Sequence, residues 1–403
     1  MSDSSKNLSE FRLVKVPTRG VPDPVDTATA LKSVSEAVLA EPGPVAVDAE
    51  RASGFRYGEP TVLVQLKVAG GQTFLLDTIA VEDLSSLQAS VGQQEWILHD
   101  ADQDLRGIAE HGLRPAKVFD TSVAARLIGL RRFGLAAVCE QLLGLTLDKD
   151  HQRANWATRP LPQDWLRYAA LDVELLHQLR EILLERLNDL DRLSWFEESC
   201  EAIRLAGPRA PKPDRWRKGA HGVLRSPREF ALLKELWEVR DDAAKELDVS
   251  PSKLVNTKAL VAAAAQHPRN RRDLGKIRAF RSPLARQYEE RWLAAVETVR
   301  WLPPEELPPV KPASSPSYIP IFGSKDELKD AASRGFDSLK AKLNRLATDL
   351  DIESVLIATS AQIKHLAWLR ADYALSDEAP DYAAEMEELG LLPWQQAQLL
   401  KLL

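Results

Sequence analysis

A short acidic stretch, Val45–Glu50, constrains the fold of this chain more than any other feature. An apolar run ends there in Asp48 and Glu50, two carboxylates one residue apart. Residues i and i+2 of a β-strand point to the same face, so the two anions would lie side by side. Such a pair is repulsive unless a cation, a proton or a hydrogen-bond donor compensates it. A divalent metal at the mouth of a buried strand is one solution; the alternative is that one carboxylate faces solvent and the other caps the next turn.

The residues that follow predict a mixed sheet flanked by helices. Thr61–Val68 and Thr73–Asp77 read as strands joined by the turn Gly70-Gly71, a pattern typical of an antiparallel meander. Strands and helices then alternate between Trp96 and Leu130, which predicts parallel strands with crossover helices. Further helices are predicted at 26–39, 81–91 and 162–187. The predicted fold class is therefore an α/β domain with a mixed sheet, followed by all-α domains.

Composition shifts and proline-rich stretches predict several domains, since 403 residues exceed one ordinary core. The predicted divisions are a flexible N-terminal lead-in (1–25), the α/β domain (26–207), a basic linker (208–225), a helical domain (226–300), a proline-rich linker (301–322) and a C-terminal helical domain (323–403). Residues 245–255 resemble residues 347–357, with Thr257 and Thr359 in corresponding places. Either one helix–turn–helix module occurs twice, or two amphipathic segments are similar by chance.

Composition also limits the environment and the function. The formal net charge is −6, which does not itself indicate nucleic-acid binding, although an acidic metal-dependent nuclease can carry local basic patches. Cys139 and Cys200 form no disulfide framework or zinc spacing, so we expect a reducing compartment such as the cytoplasm. We expect no membrane span and no signal peptide. No phosphate-cradling glycine loop occurs, so no nucleotide cofactor is expected.

Two further acidic places follow the first. The segment between the strand at Trp96 and the next helix contains three aspartates, Asp100, Asp102 and Asp104. One of them could simply cap the helix. Tyr168 and Asp172 are four residues apart and share an apolar helix face, where a carboxylate needs a partner. That partner would be a metal ion, or in the simpler interpretation Tyr168 or Arg159. His99 is predicted to be packed or hydrogen-bonded and not a catalytic base.

In this order and spacing the chain resembles the ribonuclease D family, in the tyrosine subclass of the DEDD exonucleases. The first motif matches Asp48-Ala49-Glu50 and the second matches Leu98-His99 through Asp104-Leu105. The third matches Arg159-Pro160-Leu161 with Gln163, Tyr168-Ala169-Ala170 and Asp172-Val173. The resemblance covers roughly residues 40–205. Residues 227–296 resemble the helical HRDC domain of this family, and the last segment resembles a degenerate second copy.

The resemblance implies a ribonuclease H-like fold and the removal of 5′-mononucleotides from the 3′ ends of RNA, such as tRNA precursors or other stable RNA. It implies two Mg²⁺ or Mn²⁺ ions held by Asp48, Glu50, Asp104 and Asp172, with Asp48 as the bridging ligand. Tyr168 would position the attacking water. Two such ions can activate water and stabilise the leaving oxygen, as phosphodiester hydrolysis requires. The family commonly has an apolar or aromatic residue after the glutamate, whereas this chain has Arg51, which either contacts the RNA backbone or lies in solvent.

Two basic clusters are candidate RNA contacts. They contain Arg215, Trp216, Arg217 and Lys218 in the first linker, and Arg271 and Arg272 after the first helical module. Basic side chains neutralise phosphates and an interleaved tryptophan can stack on a base; the alternative is a solvated surface. Near the end, Leu391–Trp394 could dock onto another surface. The leading prediction is a metal-dependent 3′→5′ exoribonuclease; the alternatives are a 3′→5′ DNA exonuclease and a non-catalytic RNA-binding scaffold. The sequence leaves the oligomeric state open.

Overall fold

A computed structural model describes residues 11–147, 151, 153–207, 214–311 and 318–403. The strands are β1 (Arg12–Val14), β2 (Pro24–Val25), β3 (Val45–Arg51), β4 (Thr61–Lys67), β5 (Thr73–Leu76), β6 (Glu95–Leu98), β7 (Lys117–Asp120) and β8 (Leu145–Leu147). Six of them form one sheet in the order β2-β5-β4-β3-β6-β7. The β3-β4-β5 pairings are antiparallel, and β2-β5, β3-β6 and β6-β7 are parallel. The predicted mixed sheet with its antiparallel meander is confirmed, and β3 lies inside it.

Seven helices cover this sheet. They are α1 (Ala28–Ala40), α2 (Ala101–Glu110), α3 (Thr121–Leu127), α4 (Leu135–Leu143), α5 (Gln163–Asp172), α6 (Leu176–Asp189) and α7 (Leu193–Leu205). Every residue of β4 is buried, including Gln65 and Lys67. Leu66 belongs to the large core, whereas Leu63 belongs to a smaller core with Trp156 and Tyr168. The sheet is therefore covered on both faces, and polar side chains of β4 must find partners in the interior.

The helix predicted at Pro162–Leu187 is wrong as a single element. It divides into α5 and α6 at Val173–Leu175, and Pro162 is the N-cap residue of α5. At the break, Glu174 forms an ion pair with buried Lys67 (Nζ–Oε2 2.5 Å). It also accepts hydrogen bonds from the backbone N–H and the hydroxyl of Thr18. These partners lie far away in sequence, so helical periodicity alone could not reveal the break. Its consequence is that α5 ends at Asp172.

Two other predictions are wrong. The helix predicted at Val81–Val91 is replaced by two 3₁₀ turns, Ser85–Leu87 and Val91–Gln93. Serine and aspartate side chains there bond to nearby backbone groups, as when Asp83 accepts the Ser85 N–H at 2.8 Å, and this competes with helix formation. The lead-in is ordered from Phe11 to Val25, because β1 pairs with β8 and β2 pairs with β5. Residues 1–10 of that prediction lie outside the described residues.

Two helical modules follow. The first contains α8 (Pro227–Glu246), α9 (Pro251–Leu254), α10 (Thr257–Gln266), α11 (Arg271–Leu274), α12 (Pro283–Gln287) and α13 (Glu289–Trp301). The second contains α14 (Lys325–Asp349), α15 (Ser354–Ile357), α16 (Ser360–Tyr373), α17 (Tyr382–Glu388) and α18 (Pro393–Leu400). α8 and α14 both begin with a Ser–Glu capping box. Among the described residues no helix has the length and apolar character needed to span a membrane.

The two modules share one turn, which supports a repeated module over chance similarity. Asp248 and Asp351 both adopt left-handed backbone, with φ of 48° and 50°. The N-caps of the next long helices are Asn256 and Thr359. In each module the N-cap lies the same number of residues after the left-handed aspartate, so Asp248 corresponds to Asp351. The register predicted from sequence, which paired Asp248 with Leu350 and Thr257 with Thr359, is therefore wrong by one residue.

The shared turn contacts the α/β domain in both modules. Asp248 forms an ion pair with Arg56 at 2.7 Å, and Asp351 forms one with Arg131 at 2.8 Å. Gly129 accommodates the second contact, since a Cβ added there would lie 2.6 Å from the carbonyl oxygen of Asp351. One local conformation thus provides both modules with a docking point on the same domain.

The second module is also joined to the α/β domain by aromatic packing. Trp394 stacks on Trp195 of α7, with ring centroids 4.9 Å apart and an interplanar angle of 12°. Its backbone N–H donates to Glu198 and its indole N–H donates to Ser199. Buried residues of this module belong to the same core as the sheet. The predicted docking of Leu391–Trp394 is confirmed.

Candidate metal centre

Three carboxylates meet where β3 faces the end of α5. Asp48 and Glu50 project from β3, and Asp172 is the last residue of α5. One oxygen of each side chain lies within 4.8 Å of the others. Asp104, in the first turn of α2, is buried and lines a cavity of about 370 Å³ together with Glu50. The structure thus gathers Asp48, Glu50 and Asp172, and places Asp104 at the adjoining cavity.

Burial and mutual repulsion make these carboxyl groups weak acids. Burial raises the pKa of Asp48 from its ordinary value to about 7. Burial, followed by the charges of Asp48, Asp172 and Asp104, raises the pKa of Glu50 to about 10. The pKa values of Asp104 and Asp172 are also raised well above the ordinary value, chiefly by burial and then by Asp48. Such a set favours protons or a cation, and its hard oxygen donors fit a divalent ion.

Tyr168 lies one helical turn before Asp172 and is 8% exposed. Burial and the charge of Asp172 raise the pKa of its phenol, so the hydroxyl stays protonated near neutral pH. Its hydrogen bond to Asp172 acts to lower the pKa of that carboxyl group. Trp156 packs against it at a centroid distance of 6.0 Å. Tyr168 is therefore a fixed hydroxyl donor beside the carboxylates, which suits an orienting role.

The second motif contains two other candidate ligands, Asp100 and Asp102, which lie elsewhere around the start of α2. Asp102 forms an ion pair with Arg106. Asp100 occupies the N-cap position of α2 in left-handed backbone, but its side chain makes no capping bond. Asp120, at the end of β7, accepts the N–H groups of Asp100 at 3.1 Å and Ala101 at 2.8 Å instead. The expectation that one of the three aspartates is the helix N-cap is confirmed for Asp100, although the side chain that accepts the N–H groups at the start of α2 belongs to Asp120.

Two simpler interpretations can also be judged. Arg159 does not serve Asp172; it binds both oxygens of Asp77 at 2.5 and 2.7 Å and the Val62 carbonyl. His99 Nδ1 shares a hydrogen bond with the Thr121 hydroxyl at 2.8 Å, and burial lowers the pKa of His99 to about 4. The prediction of a hydrogen-bonded His99 is confirmed.

The candidate RNA contacts separate into accessible and structural residues. Arg51 lines the cavity that contains Glu50 and Asp104, and it donates a hydrogen bond to Gln103 at 2.8 Å. Trp216 is wrong as a stacking residue, because it is buried in the first module's core. Arg217 lies 4.2 Å over the Trp216 ring and donates to the Pro309 carbonyl, so it supports the linker. Arg215 and Lys218 remain exposed, as do Arg271, which pairs with Glu289 at 2.9 Å, and Arg272.

Sequence reasoning missed three residues near the site. Arg153 lines, together with Arg51, the cavity that contains Glu50 and Asp104. Gln65 pairs with Asp48 across the strands and is fully buried, and in the part of the chain that the structure describes neither of its amide atoms has a hydrogen-bond partner. Trp237 lies beneath Arg215 at 4.9 Å. No local pattern distinguished Gln65 or Trp237 from ordinary strand and helix residues.

Two family models match parts of this chain. Residues 22–188 match the family model described as 3′-5′ exonuclease, and residues 229–296 match the HRDC domain model. The chain is 30% identical over 348 residues to ribonuclease D of Acidiphilium cryptum, covering 83% of this chain and 87% of that protein.

Two solved structures have the same fold. The crystal structure of a protein from Bifidobacterium adolescentis matches with a TM-score of 0.85 and 33% identity, covering 97% of this chain and 98% of that one. Escherichia coli RNase D, described as an exoribonuclease involved in structured RNA processing, matches with a TM-score of 0.64 and 26% identity over 94% of this chain and 98% of that one. On the sequence motifs, the fold and these relatives, the chain belongs to the ribonuclease D family.

Proposed function

We propose that this protein is a metal-dependent 3′→5′ exoribonuclease that releases 5′-mononucleotides from RNA with a free 3′ end. The observation that carries the proposal is the meeting of Asp48, Glu50 and Asp172 beside the hydroxyl of Tyr168. A catalytic purpose accounts for burying several carboxylates together, since such burial is costly without a counter-ion. The E. coli relative described above supports structured RNA, such as tRNA precursors, as the substrate.

The acidic residues and Tyr168 have distinct roles in this proposal. Asp48, Glu50, Asp104 and Asp172 would hold two divalent cations, Mg²⁺ or Mn²⁺. When bound, the ions supply activation of the attacking water and stabilisation of charge on the leaving 3′-oxygen. Tyr168 holds the water through its hydroxyl, because its raised pKa keeps the proton in place.

The basic rim of the cavity would bind the phosphate. Arg51 and Arg153 both line the cavity that contains Glu50 and Asp104. Their guanidinium groups donate hydrogen bonds in a planar fork that suits phosphate oxygens. Arg51, which departs from the family pattern, would therefore bind the scissile phosphate and would not simply lie in solvent. Residence in the cytoplasm is part of the same proposal, and the two buried free cysteines are compatible with a reducing compartment.

The test is degradation of 5′-labelled RNA and DNA of one sequence with Mg²⁺ or Mn²⁺. We expect shortening of the RNA from its 3′ end, release of 5′-mononucleotides, and no reaction with a chelator or with a 3′-phosphorylated RNA. Asp172→Asn should remain folded and lose activity. Preferred degradation of the DNA would establish the alternative exonuclease, and tight RNA binding without degradation would establish the scaffold.

A further inference from the structure

The loop that follows the metal-binding strand is held by the first helical module. Residues 52–60 leave β3 directly after Arg51 and reach the turn and the long helix of that module. Three contacts fix the loop: Ser250 N–H to the Phe55 carbonyl (3.1 Å), Asp248 to Arg56 (2.7 Å) and Asp241 to the Tyr57 hydroxyl (2.9 Å). The junction between the two domains is therefore a defined surface, and it begins beside the candidate metal centre.

A cavity of about 500 Å³ lies at this junction, within the usual size range of ligand pockets, about 300–1,000 Å³. Tyr57 and Gly58 form one wall, and the other carries Arg215, Lys218 and Trp237. The Arg215 guanidinium lies 4.9 Å from the centre of the Trp237 ring. A cation stacked on an indole offers both an aromatic platform and a positive charge, which are the two features that a nucleotide unit requires.

Buried charge at the base of the cavity also favours an anion. Arg240 is only 6% exposed and donates to the Val255 carbonyl at 3.1 Å, while its Nε has no hydrogen-bond partner among the described residues. Asp241 accepts the Tyr57 hydroxyl and lies 3.7 Å from Arg215. The lining cations Arg215, Lys218 and Arg240 outnumber the lining carboxylates of Asp241 and Glu59. The cavity thus carries excess positive charge in a protein whose net charge is −6.

The junction cavity and the cavity that contains Glu50 and Asp104 are linked by a third cavity that shares lining residues with each. Gly58 and Glu59 line both the junction cavity and a neighbouring one. Arg51 lines that neighbouring cavity and also the cavity that contains Glu50 and Asp104. A strand with its 3′ end at the carboxylates can therefore pass Arg51 and continue toward Trp237.

We propose that the junction cavity binds single-stranded RNA 5′ of the terminal nucleotide, with a phosphate at Arg215 and Lys218 and a base on the Arg215–Trp237 pair. This proposal rests on the proposed exoribonuclease function. It replaces buried Trp216 by Trp237 as the stacking residue. It also gives the first helical module a role that the metal centre cannot supply, namely a preference for RNA long enough to reach both places.

The test compares short and long RNA. A dinucleotide reaches only the metal centre, whereas an oligonucleotide of about 12 nucleotides can also enter the junction cavity. We expect Trp237→Leu and the double variant Arg215→Gln/Lys218→Gln to lower kcat/KM for the long RNA about tenfold, the scale of one base stack or phosphate contact. Activity on the dinucleotide should stay at the wild-type level. Lys329→Gln/Arg334→Gln removes the same charge from the exposed surface of α14, outside both basic clusters, and serves as the matched control.

A binding assay separates this proposal from the proposed activity. Fluorescence anisotropy of the labelled long RNA with metal-free full-length protein needs no hydrolysis. The slope of log K against log salt should become shallower by about 0.7 in the Arg215/Lys218 variant, because the one phosphate that these two side chains share contributes about 0.7 in single-stranded RNA. Wild-type slope and affinity in the variants would overturn the proposal, as would an equal loss on both substrates or an equal loss in the Lys329/Arg334 control. Absence of hydrolysis by the wild type would refute the activity and leave the binding result to decide the cavity.

Discussion

The protonation of Glu50 gives a quantitative test of the buried acidic site. Its pKa is raised to about 10 in the folded protein, against an ordinary value of 4.5. Between these values the folded chain keeps a proton that the unfolded chain releases. The free energy of unfolding therefore falls as pH rises, by about 1.4 kcal/mol per pH unit for this one group. Glu50→Gln mimics the protonated form at nearly the same volume and removes this contribution.

The expected result is a divergence between wild type and variant with pH. In metal-free protein the stability of Glu50→Gln relative to wild type should grow by about 2.7 kcal/mol from about pH 5.5 to about pH 7.5, which is two pH units of that slope. Hydrogen exchange of peptides covering β3 and β4 measures the opening free energy in this domain alone. Exposed Glu36 on α1 provides the matched control, Glu36→Gln.

Metal should reduce this difference in stability between wild type and Glu50→Gln. A divalent ion binds the ionised carboxylates, so it stabilises wild type by mass action, about 2.7 kcal/mol at a concentration of about 100 times Kd. The glutamine variant should gain less, because it offers a weaker ligand. Equal pH slopes in wild type and Glu50→Gln would refute the reasoning, since they would mean that the carboxyl group titrates normally in the folded protein.

Three further outcomes follow from packing and chemistry at other positions. Asp48→Ala should lose most of the rise in melting temperature that Mn²⁺ gives to wild type, and an equal rise in both would exclude Asp48 as a ligand. Gln65→Leu should stabilise metal-free protein by about 1–3 kcal/mol in urea unfolding, because it removes two buried amide atoms without partners; a destabilised variant would mean that the amide has partners. Trp394→Ala should cost about 2–4 kcal/mol through loss of its stack on Trp195, whereas Trp301→Ala, at an indole that is 76% exposed, should cost little.

The candidate metal centre could be predicted because its residues occur in pairs that are close together in the sequence. Asp48 and Glu50 share a strand face, and Tyr168 and Asp172 share a helix face, so the spacing alone places each pair. Asp104 was chosen over Asp102 from motif spacing, and the Asp102–Arg106 ion pair agrees with that choice. The mixed sheet also followed from patterns that extend over single elements and short connections, whereas its strand order did not.

The features that sequence reasoning missed depend on distant partners. The break after Asp172 depends on Glu174 meeting Lys67 and Thr18, and the capping of α2 depends on Asp120 from another strand. Trp216 lies among basic residues along the chain and Trp237 lies among acidic and basic ones, but only packing decides that the first is buried in the core and that the second lies beneath Arg215. Strands as short as β1 and β2 carry too few residues for periodicity to be seen.

The stack of Trp394 on Trp195 has a consequence for how this chain is made. Ser199 and Trp394, which share a hydrogen bond in this contact, are separated by 195 residues. At about 5–20 residues per second, a ribosome needs about 10–40 s to synthesise that interval. During this time the α7 face of the nuclease is exposed to other nascent chains, with the Trp195 indole uncovered. The enzyme therefore passes through an adhesive intermediate during each round of synthesis, and a chaperone that shields α7 would raise its yield without altering the finished protein.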